Sequence, residues 1–140
     1  MIDLETLRRW VDELGYRVDL EDEVTLRIRT RDGFAELPPF FLQYTGSWVV
    51  LSMLEVLSED AVLLDELPLR LLEANREMRL AKFALGEGDK VLLCAELPTE
   101  SLDRAELSDA VDRLIQYAVT YQRALLGVLD VLGRSPIISG

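Results

Sequence analysis

Few residues of this chain have a type and spacing that suit chemistry. The sequence contains no histidine, which removes the commonest general base, the Ser-His and Cys-His nucleophile pairs and most zinc sites. The single cysteine, Cys94, lies between Leu93 and Ala95 in a strand-like pattern and has no histidine to activate it. We therefore expect an inert, packed thiol, no catalytic residue and a protein that is not an enzyme.

Two further segments resemble ligand-binding motifs without having their spacing. Segment 86–90, GEGDK, suggests a phosphate loop, but it lacks the Walker spacing and joins two strand patterns, which predicts a hairpin turn. The carboxylates of Asp19, Glu21 and Glu23 could hold a hard cation, although the turn glycine and distal glutamate of a calcium loop are missing. We expect no cofactor and no metal, and keep a carboxylate-based cation-binding protein as the alternative.

The charge of the chain indicates the class of partner. Fifteen basic residues against 26 acidic ones give a net charge of -11, which repels phosphate backbones and anionic lipids. We expect no direct nucleic-acid binding, no membrane binding and a protein partner with a basic surface. Acidity that serves only solubility is the alternative. The lone cysteine and an N-terminus without signal-peptide character favour a cytoplasmic protein.

Two sets of charged residues alternate along neighbouring predicted strands. They are Asp19, Glu21 and Glu23 on the first strand and Arg27, Arg29 and Arg31 on the second. Alternate residues share one face of a strand, and opposite charges attract across a hairpin. The pattern predicts either a solvated ion-pair ladder of small net value or a mixed-charge face that fixes the register of a partner. The three arginines are therefore candidate partner-binding residues.

An aromatic cluster supplies the other candidate partner-binding residues, namely Phe40, Phe41, Tyr44 and Trp48. Such residues more often form core than interface. However, two adjacent phenylalanines in one strand must face opposite sides of the sheet. At least one should point away from the helices, where large apolar groups mark a dimer surface or a client site.

The elements that position these residues follow from the hydrophobic periodicity. A helix is predicted over 4–14, between the N-cap Asp3 and the stop signal Gly15. Apolar and polar residues alternate over 24–29, a strand is expected at 40–44 after Pro38 and Pro39, and the β-branched and aromatic run at 48–53 predicts a third strand. A short strand at 16–20, where residues also alternate, is an optional addition before them.

The second half of the chain predicts a helix, a hairpin and a long helix. Pro68 begins the helix, whose predicted inward stripe is Leu71, Leu72, Asn75 and Met78. Asn75 is expected to be a buried amide that ties down a loop, with a partner contact as the alternative. Residues 81–85 and 91–95 form the hairpin pattern, and Asp103 with Glu106 predicts a capping box before a helix that stops near Gly133.

These elements predict an α+β fold of order α-βββ-α-ββ-α, with an antiparallel sheet and helices packed on one face. One domain is expected over residues 1–133, followed by a flexible C-terminal tail at 134–140.

The order of elements resembles the bacterial YbjN-like family and the class I type III secretion chaperones whose fold that family shares. The resemblance is carried by LLEAN at 71–75, AKFAL at 81–85, VLLCAELP at 91–98 and the helix around Leu107. It implies a homodimer without cofactor or active site that acts as a chaperone-like or regulatory binder of other proteins. A subunit of a larger assembly is the alternative.

Overall fold

The first helix begins and ends where the sequence predicts. The computed structural model describes residues 2–30, 37–57 and 65–133, with side chains described up to Tyr121. The Asp3 carboxylate accepts a hydrogen bond from the Thr6 N–H at 2.8 Å and so caps α1 (Leu4–Glu13). Gly15, at a φ of 96°, lies just beyond the helix end. Leu7 and Val11, one turn apart, are buried and form the inward stripe.

Among the described residues, six strands form one sheet in which all neighbouring pairs are antiparallel. They are β1 (Arg17–Asp22), β2 (Thr25–Arg29), β3 (Phe40–Tyr44), β4 (Trp48–Met53), β5 (Ala81–Leu85) and β6 (Val91–Pro98). Their order across the sheet is β1-β2-β3-β4-β6-β5, so β1 and β5 are the edges. The optional strand at 16–20 is a full strand, and four strands therefore precede the second helix.

Two further helices complete the fold. Helix α2 (Leu67–Glu77) has Pro68 in its first turn and contacts the edge strand β5. Helix α3 (Arg104–Gly133) begins where the Asp103 carboxylate accepts a hydrogen bond from the Glu106 N–H at 2.8 Å, and it crosses β4, β5 and β6. The predicted α+β class with a secretion-chaperone-like arrangement is confirmed. The predicted tail at 134–140 lies outside the described residues.

The strand register divides the sheet into two faces, because residues paired across strands share a face. On the inner face, one row across β2, β3, β4, β6 and β5 consists of Ile28, Phe40, Met53, Leu93 and Phe83. Every member of this row is buried, and the row shares one hydrophobic core with Leu7 of α1 and Leu114 of α3. The core thus lies between the inner face and the helices. None of the described helices is long and apolar enough to cross a membrane.

Helix α2 differs from the prediction in the face that it buries. Leu71 is half-buried and Met78 is buried, as predicted, but Leu72 is 65% exposed. The predicted inward position of Leu72 is wrong because α2 lies along the edge of the sheet and buries the stripe of Leu67, Leu71 and Ala74. A helix at an edge has room to cover only one narrow stripe.

Candidate protein-binding surface

The side chains opposite the core form a second surface, which we call the outer sheet face. Its members, by strand, are Arg17, Asp19 and Asp22; Thr25, Arg27 and Arg29; Phe41 and Gln43; Trp48, Val50 and Ser52; Leu92, Cys94, Glu96 and Pro98; and Lys82 and Ala84. Its apolar members neither belong to the hydrophobic core nor pack against it, as far as the structure describes the chain. The antiparallel sheet therefore has one face on the core and a second face available for contact.

The adjacent phenylalanines of β3 face opposite sides, as predicted. Phe41 is half-buried on the outer sheet face, between Arg27 of β2 and Ser52 of β4. Phe40 is fully buried on the inner face, where its ring meets that of Tyr16 edge-on at a centroid distance of 6.3 Å. Phe40 is therefore not a partner-binding residue, which corrects the prediction, because no partner can reach a fully buried ring without unfolding the core.

Tyr44 and Trp48 also separate between the two faces. Tyr44 is half-buried, is paired with Val49 on the inner face and packs against the core, and its hydroxyl donates to the Ile2 carbonyl at 2.8 Å. It therefore lies on the side of the sheet opposite the outer sheet face. Trp48 is paired with Pro98 on the outer sheet face and is 46% exposed. Two of the four aromatic candidates, Phe41 and Trp48, therefore share the accessible face.

A groove of about 680 Å³ lies beside Trp48 at one end of the outer sheet face. Its lining residues are Ile2, Gly46, Ser47, Trp48, Pro98, Thr99, Glu100, Ser101 and Leu102. The Thr99 hydroxyl donates to the Gly46 carbonyl at 2.7 Å, and the Thr99 N–H donates to the Ser47 carbonyl at 2.9 Å. These bonds join the turn before β4 to the segment after β6, so the two walls are held together.

The arginine candidates lie on β2, close to Phe41. Arg27 is directly opposite Asp19, but Arg29 is opposite Arg17, so two like charges face each other across the hairpin. Among the described residues none of these arginines makes an ion pair. The alternating charges of β1 and β2 therefore do not form the predicted ion-pair ladder, as far as the structure describes these strands. Arg31, the third candidate, lies outside the described residues.

The other end of the outer sheet face carries Lys82 and Cys94, which are neighbours across β5 and β6. The Lys82 ammonium donates to the carbonyls of Asn75 and Met78, each at 2.8 Å, so its charge stabilises the C-terminal end of α2. Burial, with a smaller contribution from the nearby Glu96 carboxylate, raises the pKa of the half-buried Cys94 thiol. A raised pKa keeps the thiol protonated near neutral pH and therefore a poor nucleophile.

The acidic run at 19–23 forms the edge strand and tip of the β1–β2 hairpin. The Asp22 carboxylate accepts a hydrogen bond from the Val24 N–H at 2.9 Å, and this bond is the main cause that lowers the pKa of Asp22. Within residues 2–30, 37–57 and 65–133, no group of three histidine, cysteine or acidic side chains is placed to hold a metal ion. Asp19, Glu21 and Glu23 thus do not converge on one point.

A family model matches residues 3–127, which is most of the chain. This protein belongs to the YbjN family. The family is described as "Putative bacterial sensory transduction regulator". A comparison with curated protein sequences gives no match.

Solved structures share the fold of this YbjN-family chain. YbjN from E. coli superposes with a TM-score of 0.65 at 19% identity, covering 88% of this chain and 93% of that one. A chain of the heterodimeric complex ExoU-SpcU, from the type III secretion system of Pseudomonas aeruginosa, superposes with a TM-score of 0.58 at 20% identity. The match covers 85% of this chain and 96% of that one.

The structure of the Yersinia pestis type III secretion chaperone SycH, in complex with a stable fragment of YscM2, gives a TM-score of 0.57 at 19% identity, covering 81% of this chain and 94% of that one. At such identities the likeness establishes the fold. The predicted YbjN-like family and the predicted likeness to the secretion-chaperone fold are thereby confirmed.

Proposed function

We propose that this YbjN-family protein is a non-enzymatic, chaperone-like or regulatory module that binds another protein through the outer sheet face. One observation carries the proposal. Phe41, Val50 and Leu92 are half-buried on neighbouring strands of a face that does not pack against the core, and the exposed ring of Trp48 lies at its end. Partly exposed apolar and aromatic side chains on a face outside the core are typical of a protein-binding site.

The composition of the face also fits protein recognition. Interfaces are enriched in aromatic residues and arginine, and here Phe41 has Arg27 as its neighbour on the next strand. The groove beside Trp48 extends the surface past the end of the sheet. The solved complex of SycH with a fragment of YscM2 supports the idea that this fold can hold a protein segment.

We further propose a homodimer that forms through α2 and the β5 edge. Leucines are exposed on both elements, with Leu69 at 51%, Leu72 at 65% and Leu85 at 70%. Since α2 and β5 contact each other, these side chains belong to one end of the molecule. A second copy would cover such leucines symmetrically, because the same patch is present on each chain.

The free thiol of Cys94 is consistent with a cytoplasmic location.

Affinity capture with surface variants tests the proposed binding function. The wild-type protein, a Phe41→Ser/Trp48→Ser variant and a Leu20→Ser control are used as bait in extracts of the native cell. Leu20 is 65% exposed but lies on the inner-face side of β1, so the control removes an apolar side chain elsewhere. We expect a protein that the wild type and the control retain and the double variant loses. Equal retention by all three baits would refute binding at this face.

A further inference from the structure

We infer that the segment bound at the outer sheet face is acidic, and that it presents Asp or Glu carboxylates to Arg17, Arg27 and Arg29 beside apolar groups that contact Phe41. This inference rests on the proposed function, because it names the chemistry of the partner at the same surface. It also reverses an expectation drawn from net charge, which favoured a partner with a basic surface.

The β1–β2 hairpin carries a like-charge pair. Arg17 and Arg29 are direct cross-strand partners on the outer sheet face, an arrangement that is unfavourable for the free protein. The chain has 26 acidic residues, and it pairs other arginines with them, as in Arg8–Glu5 and Arg113–Asp109. Within the described part of the chain, Arg17 and Arg29 have no acidic partner, and two such facing guanidinium groups are suited to hold a carboxylate from another molecule.

Positive and negative side chains are unevenly distributed on the outer sheet face. Lys82 donates to backbone carbonyls of α2, so the cations left for a partner are the three arginines. Of the acidic residues that the register places on this face, Asp19 lies opposite Arg27, Asp22 lies opposite Thr25 at the far end of the hairpin, and Glu96 lies opposite Val50, three strands away from Arg29. As far as the structure describes the chain, the corner of the face around Arg17 and Arg29 is therefore locally positive, on a chain of net charge -11.

The positive charge of Arg27 lies close to the apolar ring of Phe41. Arg27 and Phe41 are cross-strand partners, on backbones about 5 Å apart. A bound segment can therefore place a carboxylate on the guanidinium groups and an apolar side chain on the phenylalanine ring within a few residues. Nucleic acid also carries anionic groups, but the net charge of -11 repels its extended phosphate backbone.

Peptide selection tests the inference without knowledge of the natural partner. A library of short random displayed peptides is selected on the wild-type protein, and the selected sequences are synthesised and measured by fluorescence anisotropy. We expect selected peptides enriched in Asp and Glu over the starting library. Their affinity should fall at least about tenfold in an Arg27→Glu/Arg29→Glu variant, because charge-assisted hydrogen bonds are lost.

Two controls separate charge at this site from charge in general. Arg9→Glu/Arg8→Glu makes the same change in net charge on exposed positions of α1 and should leave affinity unchanged. The single variant Arg29→Glu replaces the like-charge pair by an attractive pair with Arg17, so it should melt no lower than the wild type while binding the peptides more weakly. Loss of binding in that variant cannot be attributed to unfolding.

The alternative outcomes distinguish the two proposals. The selected peptides could instead be enriched in Lys and Arg and lose binding to the Phe41→Ser/Trp48→Ser variant. That result would refute an acidic partner while leaving the proposed binding face in place. Peptides unaffected by both the arginine and the aromatic variants would overturn both. Failure to select any peptide would count against the acidic partner, and the capture experiment would then decide the binding face separately.

Discussion

The side-chain amide of Asn75 makes two hydrogen bonds with the backbone of Phe83. Its Oδ1 accepts from the Phe83 N–H at 2.8 Å, and its Nδ2 donates to the Phe83 carbonyl at 3.1 Å. Phe83 lies on the edge strand β5, so these are the groups that an additional strand would otherwise pair with. Helix α2 is thereby fixed to the sheet, and the β5 edge is closed at its centre.

Replacing Asn75 tests this attachment. Asn75→Ala should lower the free energy of unfolding by about 1–3 kcal/mol, because it leaves two partly buried backbone groups of Phe83 without partners. Urea unfolding measures the change. The neighbouring exposed position provides a control, since Glu73→Ala should change stability by less than about 0.5 kcal/mol. Equal stability of the two variants would show that the amide does not hold α2 in place.

The two adjacent phenylalanines should respond to mutation in opposite ways. Phe40→Ala removes a fully buried ring and should cost about 3–5 kcal/mol of stability. Phe41→Ala removes a half-buried ring that lies outside the core and should cost about 1 kcal/mol or less. Similar losses in thermal or urea unfolding would mean that the face assignment of β3 is incorrect.

The Cys94 thiol should be unreactive in the folded protein. Burial raises its pKa, so the thiolate fraction near neutral pH is smaller than in an unfolded chain. Alkylation by iodoacetamide at pH 7 should be slower than in urea and should accelerate as the pH rises toward the raised pKa. Mass spectrometry over time gives both rates. Folded-state alkylation as fast as in urea would contradict the inert thiol.

The dimer proposal makes a mass prediction. Light scattering after size exclusion should give the mass of two chains for the wild type. A Leu72→Glu/Leu85→Glu variant should give the mass of one chain, because it buries four carboxylates in a symmetric interface. Leu20→Glu, at another exposed leucine, is the control and should remain dimeric. A wild-type mass of one chain would rule out the homodimer.

The element order was predictable because local signals agree with the tertiary fold. Asp3 and Asp103 each accept the N-terminal hydrogen bond that their spacing predicts, and the period-two strands appear with the predicted alternation. The opposite orientation of Phe40 and Phe41 was also predictable, since adjacent strand residues face opposite sides.

Other features depend on register and on long-range packing, which local pattern does not contain. The choice of Phe41 as the outer ring depends on which face of β3 meets α1 and α3. The pairing of Arg29 with Arg17 depends on the register of the hairpin, and it places two like charges where an ion-pair ladder would need opposite ones. The groove beside Trp48 depends on contacts between distant segments, since the Thr99 hydroxyl bonds to the Gly46 carbonyl 53 residues away and Trp48 is paired with Pro98 on another strand.

In-cell photo-crosslinking most directly tests the central claim that the outer sheet face binds a protein. Benzoylphenylalanine replaces Phe41 in one variant and Leu20 in another, the second reporting on an exposed position away from the face. We expect a light-dependent adduct to a protein other than this chain from position 41, and a much weaker one or none from position 20. Absence of an adduct from position 41, or equal adducts from both positions, would contradict it.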